Sequence, residues 1–238
     1  MSIYEPKRHP LVLPTATVSV MEPFVFGVDL DGVCGDYTSA FRTIAARELN
    51  VEESELPLER SWDFREWDLD RVGGFADLHA MAVAEDRLFA TMPPIDGVRD
   101  ALWRLSDAGV HIRVITHRLY VNWGHAGAVA DTVAWLDEQK IPYRDICFLG
   151  NKPDVGADIY IDDAPHNITA LRGAGCEAII FDQPYNQELD GLRAKDWQEV
   201  EEIVMKRAAS QLGAMQPQLP GVDAGADRLE RNRETEAE

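Results

Sequence analysis

Positive charge is what this sequence is short of: 23 Lys and Arg stand against 42 Asp and Glu, a formal net charge of -19. A surface built to neutralise a polymeric phosphate backbone gathers Lys and Arg, so DNA and RNA polymers are excluded as partners. A small phosphorylated substrate is not excluded, because one bound divalent cation can invert the sign of the local field. Cysteine is also scarce. Cys34, Cys147 and Cys176 are odd in number and lack metal-type pairing, which suits a reducing compartment, and a cytoplasmic location is expected. No run of about 18 apolar residues occurs, and no charged stretch leads into an apolar one at the N-terminus, so neither membrane spanning nor export is expected.

What is present suffices for one good-sized core with a smaller appended unit: 238 residues, 45% hydrophobic. Pro6, Pro10 and Pro14 punctuate an irregular arm over residues 1–22. Phe24 to Leu30 is a nearly continuous apolar run closed by Asp-Gly, the pattern of a strand buried on both faces of a parallel sheet. Ala40, Phe41, Ile44, Ala45 and Leu49 fall at helical spacing over Tyr37 to Leu49, and a second helix is expected over about 75–90, after an irregular stretch. Thereafter helices at about 96–108, 125–139 and 165–173 alternate with strands at 111–116, 146–149, 158–162 and 176–181, and a helix at about 197–212 closes the series. This alternation predicts a doubly wound parallel α/β domain. Residues 213–238 hold Pro, Gly, Ala and charge without an apolar period, and are expected to form a disordered tail.

In an open parallel sheet, ligands bind beyond the C-terminal ends of the strands. Here those ends are polar: Asp29-Leu30-Asp31-Gly32, Thr116-His117-Arg118, Gly150-Asn151-Lys152 and Asp162-Asp163. Gathering Asp29, Asp31, Asp162 and Asp163 in one crevice is unfavourable unaided, since like charges about 4 Å apart repel by roughly 4 kcal/mol at an effective dielectric of about 20. A cation is required, and all-oxygen ligands select a hard one, Mg²⁺. With Lys152 it would keep Asp29 ionised for in-line attack on phosphorus. Asp31 could protonate the leaving alcohol and later activate water, while Thr116 and turn amides donate to the phosphoryl oxygens.

In order and spacing these four segments resemble the motifs of the haloacid dehalogenase (HAD) superfamily. That resemblance implies a HAD-like Rossmannoid core and, because Asp31 is present where haloacid-processing members lack an Asp, phosphoester chemistry. Over roughly residues 24 to 185 the chain further resembles the cytosolic type C 5'(3')-deoxyribonucleotidases. Three features carry this likeness: the insertion Tyr37 to Thr91, the re-entry Arg87-Leu88-Phe89-Ala90-Thr91-Met92-Pro93-Pro94-Ile95-Asp96-Gly97-Val98, and the segment from Asn151 to Asp163. The expected division is an arm (1–22), a core (23–36 and 92–212), a small helical cap inserted after the first strand (37–91) and a tail (213–238).

The resemblance implies a nucleoside monophosphate substrate, preferentially a deoxypyrimidine one, with cap aromatics stacking on the base. Trp62, Phe64, Trp67 and Phe75 are the candidates, and they serve equally as the cap's own small core. Gly32, His117 and Arg118 complete the expected substrate contacts. Arg118 either clamps a second anionic group or pairs with a surface carboxylate, Asp158 either orients Lys152 or merely begins a strand, and Cys34 reads as a small residue packed beside a turn. His166 and Asn167 read as the start of a helix. The expected metal residues are Asp29, Asp31, Asp162 and Asp163, and a homodimer is compatible with the sequence. Two further functions fit the motifs: a phosphatase for another small metabolite ester, and a catalytically silent binding or scaffold protein of the same fold.

Overall fold

Alternation of side chains along each strand decides how this sheet is buried. In the computed structural model, which describes residues 23–119 and 124–212, six strands form one parallel sheet in the order β3-β2-β1-β4-β5-β6. They are β1 (Val25–Val28), β2 (His111–Thr116), β3 (Asp145–Phe148), β4 (Ile159–Asp162), β5 (Ala178–Phe181) and β6 (Arg193–Ala194). Phe26, Val28, Ile112, Val114, Ile159, Ile161, Ile179 and Phe181 join the larger core on one face, where Leu102, Trp135, Trp197 and Val204 from helices cover them. Ile115, Tyr160, Ala178 and Ile180 point to the other face, under Ile168 and Leu171. Both faces are therefore apolar over the central strands, as parallel sheets require, while β3 is half-buried along its length and carries the Arg113–Asp145 ion pair. Gly27 in the central strand has no side chain to offer this second face, because a Cβ there would come within 2.8 Å of Ile115 Cδ1.

The helices are α1 (Tyr37–Leu49), α2 (Gly74–Ala84), α3 (Leu88–Thr91), α4 (Val98–Asp107), α5 (His125–Glu138), α6 (Pro165–Gly173) and α7 (Trp197–Leu212). Between β1 and α4 the chain builds a separate apolar cluster from Phe41, Ala45, Leu49, Phe64, Trp67, Leu78 and Leu88, resting on Ala128 of α5. Asp36 caps α1 by accepting from the Ser39 amide at 3.0 Å, and Asn50 ends it in the left-handed conformation at φ 55°. This cluster comes from the stretch of chain that follows β1 and precedes α4.

The single helix expected over about 75–90 is instead two, α2 and α3. Glu85 and Asp86 fall at the negative end of α2's dipole, where acids are unfavourable. The chain turns there, with Arg87 at φ 53°, and the freed side chains pair outward, Asp86 with Arg47 and Arg87 with Asp131. The short edge strand β6 also escapes sequence reading, since two residues make no pattern. The expected arm (1–22), the tail (213–238) and the segment Tyr120 to Trp123 lie outside the described residues. Among the described residues no helix is long and apolar enough to cross a membrane.

Candidate active site

With β1 flanked by β2 on one side and β4 on the other, the C-terminal ends of β1 and β4 open a crevice. Asp29 follows β1 directly, and its amide donates to the Ile161 carbonyl at 3.2 Å. Asp162 ends β4, Thr116 ends β2, and Lys152 opens a short 3-10 turn after β3. Four distant stretches thus reach one place.

Lys152 is 3% exposed and its Nζ lies 2.6 Å from both Asp29 Oδ1 and Asp162 Oδ2. The other Asp162 oxygen accepts from the Ala164 amide at 2.9 Å and from Asn167 Nδ2 at 3.1 Å, which fixes the carboxylate and leaves Oδ2 with Lys152 as its one protein partner among the described residues. Asp163 accepts from the Tyr185 hydroxyl. One carboxylate oxygen from each of Asp29, Asp162 and Asp163 lies within 4.8 Å of the others, all three residues buried. Burial raises the pKa of Asp29 to about 7 against the pull of Lys152, with Asp162 and Asp31 adding to the rise. Asp163 is raised well above the carboxylate range by burial, then by Asp162 and Asp29. Burial works to lower Lys152, but Asp162 and Asp29 outweigh it and hold the ammonium charged. Carboxylates crowded and partly neutralised in this way fit a hard divalent cation, which would relieve the repulsion.

Asp31 does not join this group. Its carboxylate is held by Arg118, with Nη2 2.7 Å and Nε 3.2 Å from Oδ1 and Nε 3.1 Å from Oδ2. Arg118 also donates to Thr132 Oγ1 at 3.0 Å and stacks over Phe89, its Cζ 4.3 Å from the ring centroid. Neither alternative read from the sequence describes it: it is buried and fixes Asp31, so no surface carboxylate is involved and its fork is already occupied. The Asp158 alternatives also resolve. Its carboxylate accepts from the Val25 amide at 2.7 Å and Gln211 Nε2 at 2.9 Å, so it ties β1 and α7 and does not orient Lys152. Cys34 is buried with its thiol donating to the Asp29 carbonyl at 3.2 Å, and burial pushes its pKa up.

A cleft of about 710 Å³ lies over these groups, lined by Asp29, Asp31, Lys152 and Asp163 together with Tyr37, Phe64, Phe75, His79 and Phe89. The structure brings Trp62, Phe64, Phe75, His117 and Arg118 to this cleft. It does not bring Trp67, which is 2% exposed with its indole N–H on the Pro57 carbonyl at 2.9 Å, deep in the insertion's own cluster. Gly32 is also absent from the lining. Its φ of +79° and its position against Asp163 Oδ2, which any Cβ would strike, make it a backbone requirement of the carboxylate group. His166 and Asn167 do start α6, and from its first turn both line the cleft.

Several lining residues escape sequence reading. Tyr185 sits in a 3-10 turn just beyond β5, so extending the strand-end rule to Phe181 would have reached it. Tyr37 and His79 share a hydrogen bond of 2.8 Å, and Arg60 stacks on Phe64; nothing local in the insertion's sequence signals either contact.

Cation affinity should follow the raised carboxylates. Binding requires Asp29 and Asp163 ionised, so protons must leave, and below about pH 7 each proton displaced should cost about tenfold in apparent affinity per pH unit. Calorimetric titration with Mg²⁺ in buffers of different ionisation enthalpy would count those protons. Affinity independent of pH between 5.5 and 8, with no proton release, would contradict this account of the site.

Comparison with known proteins gives a consistent result. The family model described as "5' nucleotidase, deoxy (Pyrimidine), cytosolic type C protein" matches residues 23–211. A protein of Chlorobaculum tepidum named "Putative 5'(3')-deoxyribonucleotidase" is 46% identical over 180 residues, covering 76% of this chain and 89% of its own length. The 5'(3')-deoxyribonucleotidase of Bacillus subtilis is 35% identical over 80 residues, 32% of this chain and 45% of that protein. Among solved structures, one from Haemophilus somnus described as a predicted phosphoglycolate phosphatase superposes with a TM-score of 0.51 at 14% identity, covering 77% of this chain and 99% of that one. At that identity the likeness concerns the fold alone.

Proposed function

We propose, from the premise that this chain belongs to the cytosolic type C 5' nucleotidase, deoxy (pyrimidine), family, that it hydrolyses nucleoside monophosphates, preferentially deoxypyrimidine ones, with Asp29 as nucleophile. The observation that carries the reading is the buried group of Asp29, Asp162, Asp163 and Lys152 at the mouth of an aromatic-walled cleft. Residues 37–91 form the cap and residues 23–36 with 92–212 the core. Asp29, Asp162 and Asp163 would hold Mg²⁺, which when bound supplies charge for the phosphoryl oxygens.

The chain's own residues account for the rest. An Asp29 oxygen attacks phosphorus, the bond from phosphorus to the nucleoside oxygen breaks, and Asp31 gives that oxygen its proton. Water then attacks the aspartyl-phosphate, Asp31 takes its proton, and the bond to Asp29 breaks. Arg118 keeps the Asp31 carboxyl aimed into the cleft through two nitrogens, a restraint worth more than one bond because the fork fixes direction as well as distance. Lys152 holds Asp29 in place, and Thr116, buried at the end of β2 with its hydroxyl accepting from the Arg118 amide at 3.3 Å, would donate to a phosphoryl oxygen. Phe75 lines the cleft, is 41% exposed and packs on Phe64 and His79 with centroids 5.2 and 5.5 Å apart, so it is the cap ring we assign to meet the base.

Phosphate release from dUMP, dTMP and a panel of nucleotides and sugar phosphates tests the proposal. Release from deoxypyrimidine monophosphates that stops with EDTA and returns with Mg²⁺ is expected. Turnover of sugar phosphates alone would move the substrate and keep the chemistry, and no cation-dependent release from any monophosphate would sink both.

A further inference from the structure

Three guanidinium or ammonium groups line the cleft, and two are matched. Lys152 bridges Asp29 and Asp162, and Arg118 holds Asp31. The third, Arg60 of the cap, is 5% exposed and donates only to neutral oxygens: Nε and Nη2 to Thr38 Oγ1 at 3.3 and 2.8 Å, and Nη1 to the Ser61 carbonyl at 3.0 Å. Among the described residues no carboxylate forms an ion pair with it. Asp63, which also lines the cleft, is taken by Arg65 at 3.0 Å. Rings cover both faces of the guanidinium, Phe64 at 3.7 Å and Tyr185 at 4.3 Å from Cζ to centroid, and Tyr185 in turn donates to Asp163.

Burial pulls the Arg60 pKa down against the weaker pull of Tyr185, Tyr37 and Asp163, and a buried guanidinium with no directly paired carboxylate is costly unless a ligand brings an anion. Its five N–H donors exceed its three bonds to Thr38 and Ser61 together with its further interaction with the Tyr185 hydroxyl, so an edge position remains for an oxyanion. Building on the phosphatase reading above, we infer that Arg60 is the cap's contact for the phosphoryl group of the substrate, so that the cap recognises the phosphate itself as well as the leaving group. Charge balance supports this choice. Lys152 and one divalent cation are met by Asp29, Asp162 and Asp163, Arg118 is committed to Asp31 through its fork, and burial keeps His79, His117 and His166 toward their neutral forms. A phosphate dianion therefore arrives with Arg60 as the remaining positive charge in the lining, beside Tyr185 and one residue from the Asp163 carboxylate. A second anionic group on the leaving moiety would find no further cation among the lining residues.

The test uses full-length Arg60→Met and Arg60→Lys with Mg²⁺ present. Three quantities are measured: the affinity for inorganic phosphate by calorimetry, KM and kcat for dUMP and p-nitrophenyl phosphate, and the affinity for Mg²⁺. Arg60→Met should weaken phosphate binding and raise KM for both esters by the same factor, about 10- to 100-fold, with Mg²⁺ affinity unchanged. Unchanged phosphate affinity would overturn the inference, and so would a KM rise confined to the nucleotide, which would assign Arg60 to the leaving group. If the wild type turns over neither ester, the phosphatase reading fails, and phosphate affinity alone decides the role of Arg60. Thermal unfolding identifies a variant that has lost its fold. Arg60→Lys, which keeps the charge but not the planar fork, then carries the comparison: weaker phosphate binding is expected, and undiminished binding overturns the inference.

Discussion

Asp29→Asn should lose turnover by on the order of 10⁴-fold or more while the cation-free protein keeps, and at neutral pH exceeds, the wild-type melting temperature. The first half follows from the proposed role, since an amide oxygen is a poor nucleophile and Asp162 and Asp163 are placed otherwise. The second half follows from the site's electrostatics. Asp29 is buried among Asp162, Asp163 and Asp31, and its pKa is raised from 3.8 to about 7. A group that holds its proton more tightly in the folded state contributes stability below the unfolded value, and that contribution is lost as pH rises through the folded value. The neutral isostere escapes this loss, so its advantage should grow from about pH 4 to about pH 7 and then level off. Lys152 keeps Asp162 as a partner at 2.6 Å, so no buried charge is orphaned. Melting curves across that pH range, without divalent cation, check the prediction. A variant destabilised at every pH would show that Asp29 is primarily a structural ion-pair partner.

How much of this was legible in the sequence depends on distance along the chain. The strand ends were readable because each is local: an apolar run followed by Asp29, Thr116 or Asp162 needs only its own few residues. The sheet order was readable as a class, since alternating strands and helices admit few topologies. The cap was not, for a physical reason. Its aromatics carry no period that separates a ring on the cleft from a ring in the core: Phe64 and Trp67, three residues apart, pack on each other with centroids 4.8 Å apart inside the same cluster, and Phe64 alone of the two also reaches the cleft. Arg118 was misread for the complementary reason. Its partner Asp31 lies 87 residues away, and only the pairing of β2 with β1 brings them together. The break of α2 at Glu85 was a local conflict between helix propensity and the helix dipole, decided by the ion pairs Arg47–Asp86 and Arg87–Asp131 across elements.

Lys152→Met is the substitution expected to cost the most stability. The ammonium is 3% exposed and stands 2.6 Å from two buried carboxylates, and the methionine that replaces it fills much of the same volume without charge. What remains is Asp29, Asp162 and Asp163 within 4.8 Å of one another and without their organic cation. Removing one partner of a buried ion pair costs about 3–5 kcal/mol, which in a domain of this size lowers the melting temperature by roughly 10 °C. The deficit should be largest above neutral pH and shrink as acid protonates Asp29 and Asp163, because both are already held above the ordinary carboxylate range. Saturating Mg²⁺ should recover more stability in the variant than in the wild type, since the divalent ion then offsets repulsion that Lys152 no longer offsets. Activity should nonetheless stay depressed by about 10²- to 10³-fold, because a fixed donor at the nucleophile is lost whatever the cation restores. Thermal unfolding at pH 5.5 and 8, with and without Mg²⁺, separates these effects. Equal melting temperatures for variant and wild type at pH 8 without cation would mean that the carboxylates are already protonated or solvated there, and the requirement for a cation at this site would lose its electrostatic basis.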